Sequence, residues 1–245
     1  MLAIGTRFFG VNPDNDLPRL GKFIQIASNL GKVFVAVNGE EDGTNALEFV
    51  KEYGANLPVE GFSVTPWCKF VPALDAIVYK ASTGGAKYLL LASVEFPPQD
   101  KWVRALLKHM DDRTLVVGAR FAEHEFHEGV VSGNGSNIPW NTFALWNLSF
   151  LSKLGFILIG DAPFDPSKAG VEELSTSALY QKIFSSSKIK LVDIVDFPQE
   201  WNMNGWSEAM KTRHLEKMAS KKIRAAAQLK WLGLPPPIVR HIKDS

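Results

Sequence analysis

The sequence predicts an α/β fold, a mainly parallel sheet flanked by helices with a C-terminal helical extension. Three observations carry this. Short continuous apolar runs at 33–37 and 88–92 suit strands buried on both faces, and 2–9 reads as a first strand. Apolar residues at helical spacing lie between them, at 17–30, 45–53 and 71–82. Glycines stand where each of those helices should stop, at Gly31, Gly54 and Gly84-Gly85. Strands alternating with helices are joined most simply as parallel neighbours covered on both faces.

The remaining elements follow in order. A short strand is expected at 61–64. Pro97 and Pro98 end the run at 88–92, and a helix is expected at 100–109, then a strand at 115–117. The segment 130–147 is rich in Gly, Asn, Ser and Trp and reads as a long loop leading into a helix that ends at Gly155. A short strand at 156–159, a loop at 161–170, a helix at 171–184 and a strand at 189–195 come next. Residues 205–232 read as one helix, stopped by Pro235-Pro236-Pro237. Two units are expected: an α/β domain over 1–200, and a helical extension over 201–245 that packs on the same domain or on a partner.

Composition excludes several classes. With 245 residues and 46% hydrophobic content the chain can bury a substantial core. The net charge of +1 gives no nucleic-acid signal. The single cysteine, Cys68, rules out an internal disulfide and fits a reducing compartment. No apolar run is long enough to span a bilayer, and the N-terminus reads as a first strand rather than a signal peptide. The expected setting is cytoplasmic. Residues 201–245 carry nine basic and three acidic residues, against 18 and 23 in the rest. A charged run of this kind is ordinarily a solvated helix face, and its functional reading is contact with anionic headgroups, phosphates or a partner.

Three punctuated segments occur in order. The run at 33–37 ends in Asn38-Gly39-Glu40-Glu41-Asp42-Gly43-Thr44, a polar loop at the carboxyl end of a strand, where open α/β sheets grip ligands. The run at 88–92 ends in Ser93-Val94-Glu95-Phe96-Pro97. Gly170-Val171-Glu172-Glu173-Leu174-Ser175 opens a helix, preceded by Asn141-Thr142-Phe143-Ala144-Leu145-Trp146-Asn147. This order resembles the GT-A-fold glycosyltransferases, in particular the large inverting family that uses nucleotide-diphosphate sugars. The resemblance spans residues 1–185, and Gly39, Asp42, Gly43 and Thr44 match it in identity.

The resemblance implies a nucleoside site at Asn38, Gly39 and Asp42. It implies a diphosphate or metal site at Ser93 and Glu95, where the family carries Asp-x-Asp. It implies a general base at Glu173, or at Glu172, to deprotonate an acceptor hydroxyl. Asn141, Thr142 and Trp146 would border the acceptor. The chain departs from the pattern at Val37 and Asn38, which stand where the family has two aspartates, and at Ser93-Val94-Glu95. Glu95 alone is a weak ligand for Mg²⁺ or Mn²⁺. A metal-independent enzyme would need cations instead, with Lys69, Lys87 and Arg120 as candidates. Adjacent helical residues face different ways, so one of Glu172 and Glu173 is expected to point into the cleft. The bland reading of the pair is a helix N-terminus favoured by its dipole.

Other residues carry weaker signals. Glu123-His124-Glu125-Phe126-His127-Glu128 lacks the spacing of a metal site and reads as a polar loop. His214 reads as a solvated helical histidine. Trp140, Trp146, Trp201 and Trp206 suit sugar stacking, and equally suit a core. Cys68 lacks an activating base in sequence. The function expected is glycosyl transfer with inversion from a nucleotide-diphosphate sugar to a glycan or lipid-linked acceptor. Peripheral membrane contact through the basic C-terminal helix and the absence of nucleic-acid binding belong to the same reading. The alternatives are a non-catalytic GT-A-like nucleotide- or glycan-binding scaffold and, behind it, a sugar-phosphate nucleotidylyltransferase, whose Gly-rich N-terminal loop is missing.

Overall fold

The computed structural model describes residues 1–9, 13–39, 43–201, 203 and 206–244, with the side chains of 13–15 and 43–44 left aside. Nine strands form one sheet in the order β3-β2-β1-β4-β7-β5-β8-β9-β6. The strands are β1 (Leu2–Phe8), β2 (Lys32–Asn38), β3 (Val59–Val64), β4 (Tyr88–Ala92), β5 (Thr114–Ala119), β6 (Gly129–Ser132), β7 (Phe143–Asn147), β8 (Lys188–Asp193) and β9 (Ile238–Lys243). β7 runs antiparallel between β4 and β5, and β6 runs antiparallel to β9 at the edge. The other pairings are parallel.

The helices are α1 (Pro13–Ala27), α2 (Gly43–Tyr53), α3 (Val71–Thr83), α4 (Asp100–Lys108), α5 (Leu148–Leu151), α6 (Glu172–Ile183), α7 (Glu208–Ala219) and α8 (Lys221–Leu232). Residues 33–37 of β2 are buried, as a strand covered on both faces requires. So is the whole of β5.

Four sequence expectations are corrected. Residues 143–147 were expected as the end of a loop that leads into a helix and form β7; a four-residue apolar run fits either state until its neighbours are known. Residues 129–132 form β6 at the edge of the sheet. Residues 156–159 are not a strand: Leu158–Asp161 is a 3-10 turn. The helix at 205–232 is two helices, broken where the Ser220 hydroxyl turns back onto the Glu216 carbonyl at 2.8 Å. After the triple proline the chain re-enters the sheet as β9, and α8 packs on α6, so residues 221–243 complete the same layered body.

Asp161 links that turn to α3. Its Oδ1 accepts the N–H groups of Phe70 and Val71 at 2.7 and 3.0 Å, satisfying donors that a helix start leaves open. Further along α3, Asp75 accepts the Phe156 N–H at 2.6 Å, and burial pushes its carboxyl up to about 6. A carboxyl raised in the folded state stabilises most below its unfolded value, and that contribution is lost as pH rises through 6. Asp75→Asn keeps the acceptor oxygen and removes the ionisation. The variant should gain about 1–3 kcal/mol over the native chain at pH 8 and nothing near pH 3, read by denaturant unfolding.

Candidate active site

The carboxyl ends of β1 and β4 open onto a cavity of about 230 Å³. β1 supplies Gly5, Thr6 and Arg7, and β4 leads into Ser93. Asn141 and Thr142 enter ahead of β7, Glu172 and Glu173 from the first turn of α6, and His214, Lys217, Lys221 and Arg224 from α7 and α8. The cavity lies where the topology predicts a ligand, outside the carboxyl ends of neighbouring parallel strands.

Ser93, Asn141, Thr142, Glu172 and Glu173, separated by up to 80 residues in sequence, therefore line one space. Both glutamates line it, correcting the expectation that one would. The cavity wraps the N-terminal end of α6, so side chains pointing in different directions both reach it. Glu172 accepts a hydrogen bond from the Asn141 side-chain amide at 3.1 Å. Glu173 stands 3.8 Å from the Lys221 ammonium, both buried. Burial pushes the Glu173 carboxyl up, and the Glu172 charge adds to this. Burial pushes Lys221 down, opposed by Glu173. At 3.8 Å the two groups face each other as an ion pair without a direct hydrogen bond, so each charge is the other's nearest compensation in the buried site.

Trp146 is a correction. It is fully buried in β7 and does not line the cavity; its indole N–H donates to the Asn141 side-chain oxygen at 2.9 Å, fixing the amide that holds Glu172. Glu95 accepts a hydrogen bond from the Ser93 hydroxyl and is likewise not among the lining residues. Asn38 and Gly39 end β2 beside β1, at the same edge of the sheet but outside this cavity. Gly39 is closely packed: a Cβ there would force the Thr65 and Ser63 hydroxyls to move. Asp42, with Glu40 and Glu41, lies outside the described residues.

Three expected cations are elsewhere. Lys87 is at the amino end of β4, the opposite edge, 3.7 Å from Asp112. Arg120 pairs with Asp193 at 2.7 Å. The Lys69 ammonium donates to the Pro166 carbonyl at 2.6 Å. The cavity instead holds Arg7, Lys217, Lys221 and Arg224, which sequence reasoning passed over. The basic excess of 201–245 was the available signal, but nothing local marked which of its residues turn inward.

Aromatic residues build the walls. Lys221 lies 3.4 Å from the centre of the Trp140 ring, and Arg7 and Lys217 lie 4.6 and 5.7 Å from that of Phe70. Trp140 is stacked at 3.7 Å on His124. His124 Nδ1 accepts the Phe121 N–H at 2.8 Å and Nε2 faces the Ile138 carbonyl at 2.9 Å, so the neutral Nε2–H tautomer satisfies both. Burial drives its pKa well below the ordinary value. His124 is thus a strut for Trp140, in line with a polar loop rather than a metal site. His214, expected in solvent, lines the cavity edge-on to Trp201 and Trp206, and its pKa is lowered by burial and by Lys221 and Lys217.

A divalent cation seeks carboxylate oxygens beside phosphate. Residues 93–95 offer a single carboxylate, already bound to the Ser93 hydroxyl, while Glu172 and Glu173 face Asn141 and Lys221. Among the described residues, the lining of this cavity fits an anion better than a divalent cation.

At the level of sequence, no protein-family model and no curated protein matches the chain. Solved structures do. A mannosyltransferase from Pyrobaculum calidifontis, solved with GDP-Man and Mn²⁺, aligns with 94% of this chain and 67% of its own at TM-score 0.58 and 15% identity. Glucosyl-3-phosphoglycerate synthase from Mycobacterium tuberculosis, solved with phosphoglyceric acid, aligns over 96% of this chain and 81% of its own, at 0.56 and 13%. Mannosyl-3-phosphoglycerate synthase from Rubrobacter xylanophilus aligns over 95% and 75%, at 0.50 and 13%. Together with the sheet order and the antiparallel strand between β4 and β5, these likenesses establish that the chain has the GT-A fold.

Proposed function

We propose that the chain is a glycosyltransferase that moves a sugar from a nucleotide-diphosphate donor to an acceptor hydroxyl with inversion. The observation that carries this is the convergence of the β4 end, Asn141-Thr142 and the two α6 glutamates on one cavity at the carboxyl edge of a GT-A sheet. The structural neighbours, a mannosyltransferase solved with GDP-Man and two sugar-3-phosphoglycerate synthases, support the same reading.

The chemistry asks for a base on the acceptor side. Glu173 would take the acceptor proton as the hydroxyl oxygen attacks the anomeric carbon. The bond from that carbon to the donor phosphate oxygen breaks, and its electron pair leaves on the diphosphate. A buried carboxylate with a raised pKa is a stronger base than an exposed one. Glu172, held by Asn141, would orient the acceptor beside Thr142. Asn38, Gly39 and Asp42 would meet the nucleoside, and Ser93 the diphosphate. Glycan and lipid-linked alcohols both present the hydroxyl this requires.

Calorimetric titration with UDP- and GDP-sugars, with and without Mn²⁺, tests the donor reading. Binding of one nucleotide-sugar in the micromolar-to-millimolar range is expected. Absence of binding by every nucleotide would overturn it, and binding without turnover on any acceptor would favour a non-catalytic scaffold. The anomeric configuration of the product, read by NMR, tests inversion.

A further inference from the structure

Four cations and two glutamates line the cavity, and Asp161, off the lining, is a third carboxylate that acts on Arg7, so the cations remain in excess. Lys221 has Glu173 at 3.8 Å. Among the described residues, Arg7, Lys217 and Arg224 have no carboxylate within 4 Å. Arg224 is only 5% exposed and its guanidinium is held by backbone carbonyls, those of Ala169 and Gly170 at 2.5 and 2.9 Å and that of Lys217. Buried charge without an adjacent carboxylate is expensive, and persists where something supplies the missing partner, which applies to Arg224; Arg7 is half-buried and Lys217 exposed. The cations also feel one another: Lys217 is lowered by desolvation first, then by Arg213, Arg224 and Arg7, with Glu172 opposing.

A second observation points to a ligand. Thr6, at the end of β1, is 1% exposed and lines the cavity, and its hydroxyl has no hydrogen-bond partner among the described residues. The Trp201 indole N–H, also on the lining, is unpartnered among them too. Orphaned donors beside unbalanced cations ask for an oxygen-rich anion.

We infer that this cavity binds phosphate through Arg7, Lys217, Lys221 and Arg224, with the Thr6 hydroxyl completing the shell and no divalent cation required. The chemistry is that of phosphate oxygens, supplied by the diphosphate of a donor or by a phosphorylated acceptor. The first source rests on the donor reading above. Three of the four cations come from α7 and α8, so the C-terminal helical pair provides the charge that a divalent ion would otherwise bring to the carboxyl end of β4.

The test is calorimetry in EDTA with inorganic pyrophosphate, UDP, GDP and glycerol phosphate. It uses the native chain, Lys217→Gln, Arg224→Gln and Lys222→Gln, each checked for native unfolding temperature. Lys222 is exposed and pairs with Glu125, so Lys222→Gln removes the same formal charge from outside the cavity. Pyrophosphate and one nucleoside diphosphate should bind in EDTA. Lys217→Gln should weaken both about 5- to 20-fold, Arg224→Gln by more, and Lys222→Gln less than about twofold. If Arg224→Gln fails to fold, Lys217→Gln carries the comparison.

Binding that appears only with Mn²⁺, or that Lys217→Gln leaves unchanged, overturns the inference. A nucleotide that binds but ignores the cavity variants sinks the cradle and leaves the donor reading standing. Pyrophosphate or glycerol phosphate binding that depends on Lys217 while no nucleotide binds does the reverse. Glycerol phosphate outcompeting the diphosphates assigns the cradle to the acceptor.

Discussion

Glu173→Gln should lower sugar transfer by about 10²–10⁴-fold while leaving nucleotide affinity within about threefold, because the amide keeps the shape of the carboxylate and cannot accept the proton. The comparison that decides the assignment is Glu172→Gln. Glu172 accepts from Asn141, and its amide can still meet a neighbour through oxygen, so the loss should be smaller. If Glu172→Gln is the inactive variant and Glu173→Gln turns over normally, the two roles are exchanged. The pH profile supplies a second reading. Glu173 acts as a base only when deprotonated, and burial together with Glu172 raises its pKa. The rate should therefore rise with pH through a limb above the ordinary carboxylate value of about 4.3, and Glu173→Gln should abolish that limb. Removing the carboxylate also strips Lys221 of its counter-charge, so the variant should be less stable than the native chain. Adding Lys221→Met should restore unfolding resistance without restoring activity.

Gly160→Ala should be nearly as damaging to activity, through geometry rather than chemistry. A Cβ at Gly160 would stand 2.4 Å from the Cβ of Glu172 and 2.9 Å from its Cα. The second contact is with helix backbone, which cannot rotate away. Gly160 lies in the turn that also places Asp161 over the start of α3, and its carbonyl accepts the Gly170 N–H at 3.1 Å and the Gln228 side chain at 3.3 Å. Three elements that shape the cavity thus meet on one residue with no side chain. Overpacking here should cost about 1–3 kcal/mol of stability. Displacing α6 by a fraction of an ångström should lower kcat by about 10²-fold, with a smaller change in donor affinity. A variant with native kcat would show that the position of Glu172 does not matter to the reaction.

Much of the left half of the sheet was legible because its signals are local. The cores of β2 and β4 are continuous and apolar, β1 is apolar but for Gly5, Thr6 and Arg7, and glycines mark the ends of the intervening helices, so pattern and structure agree. β7 was missed for a physical reason. Phe143 to Asn147 lie between two other strands and are buried throughout, which erases the alternation that distinguishes a strand from a short helix. β9 was missed because the prolines at 235–237 read as an ending, although the six residues after them alternate between buried and open. The helix break at Ser220 depends on one hydroxyl returning to the backbone, which helical periodicity does not record.

The site divides in the same way. The acidic pair at 172–173 and Ser93, Asn141 and Thr142 were named from the chain through its resemblance to the glycosyltransferase pattern, and all five line the one cavity. Trp146 could not be told from a lining tryptophan, since direction across a strand depends on which neighbours cover each face. By itself, then, the sequence determined the alternating elements of the first half and named Glu172 and Glu173 as candidates at a carboxyl-edge site. Only the tertiary structure decided their company: that both glutamates reach one cavity, that Asn141 and Lys221 hold them, and that Arg7 and three cations from the last two helices share the space. Local pattern fixes which residues face a core, but the partner of a charge is set by long-range packing, which places Lys221 beside Glu173 across a long span of chain.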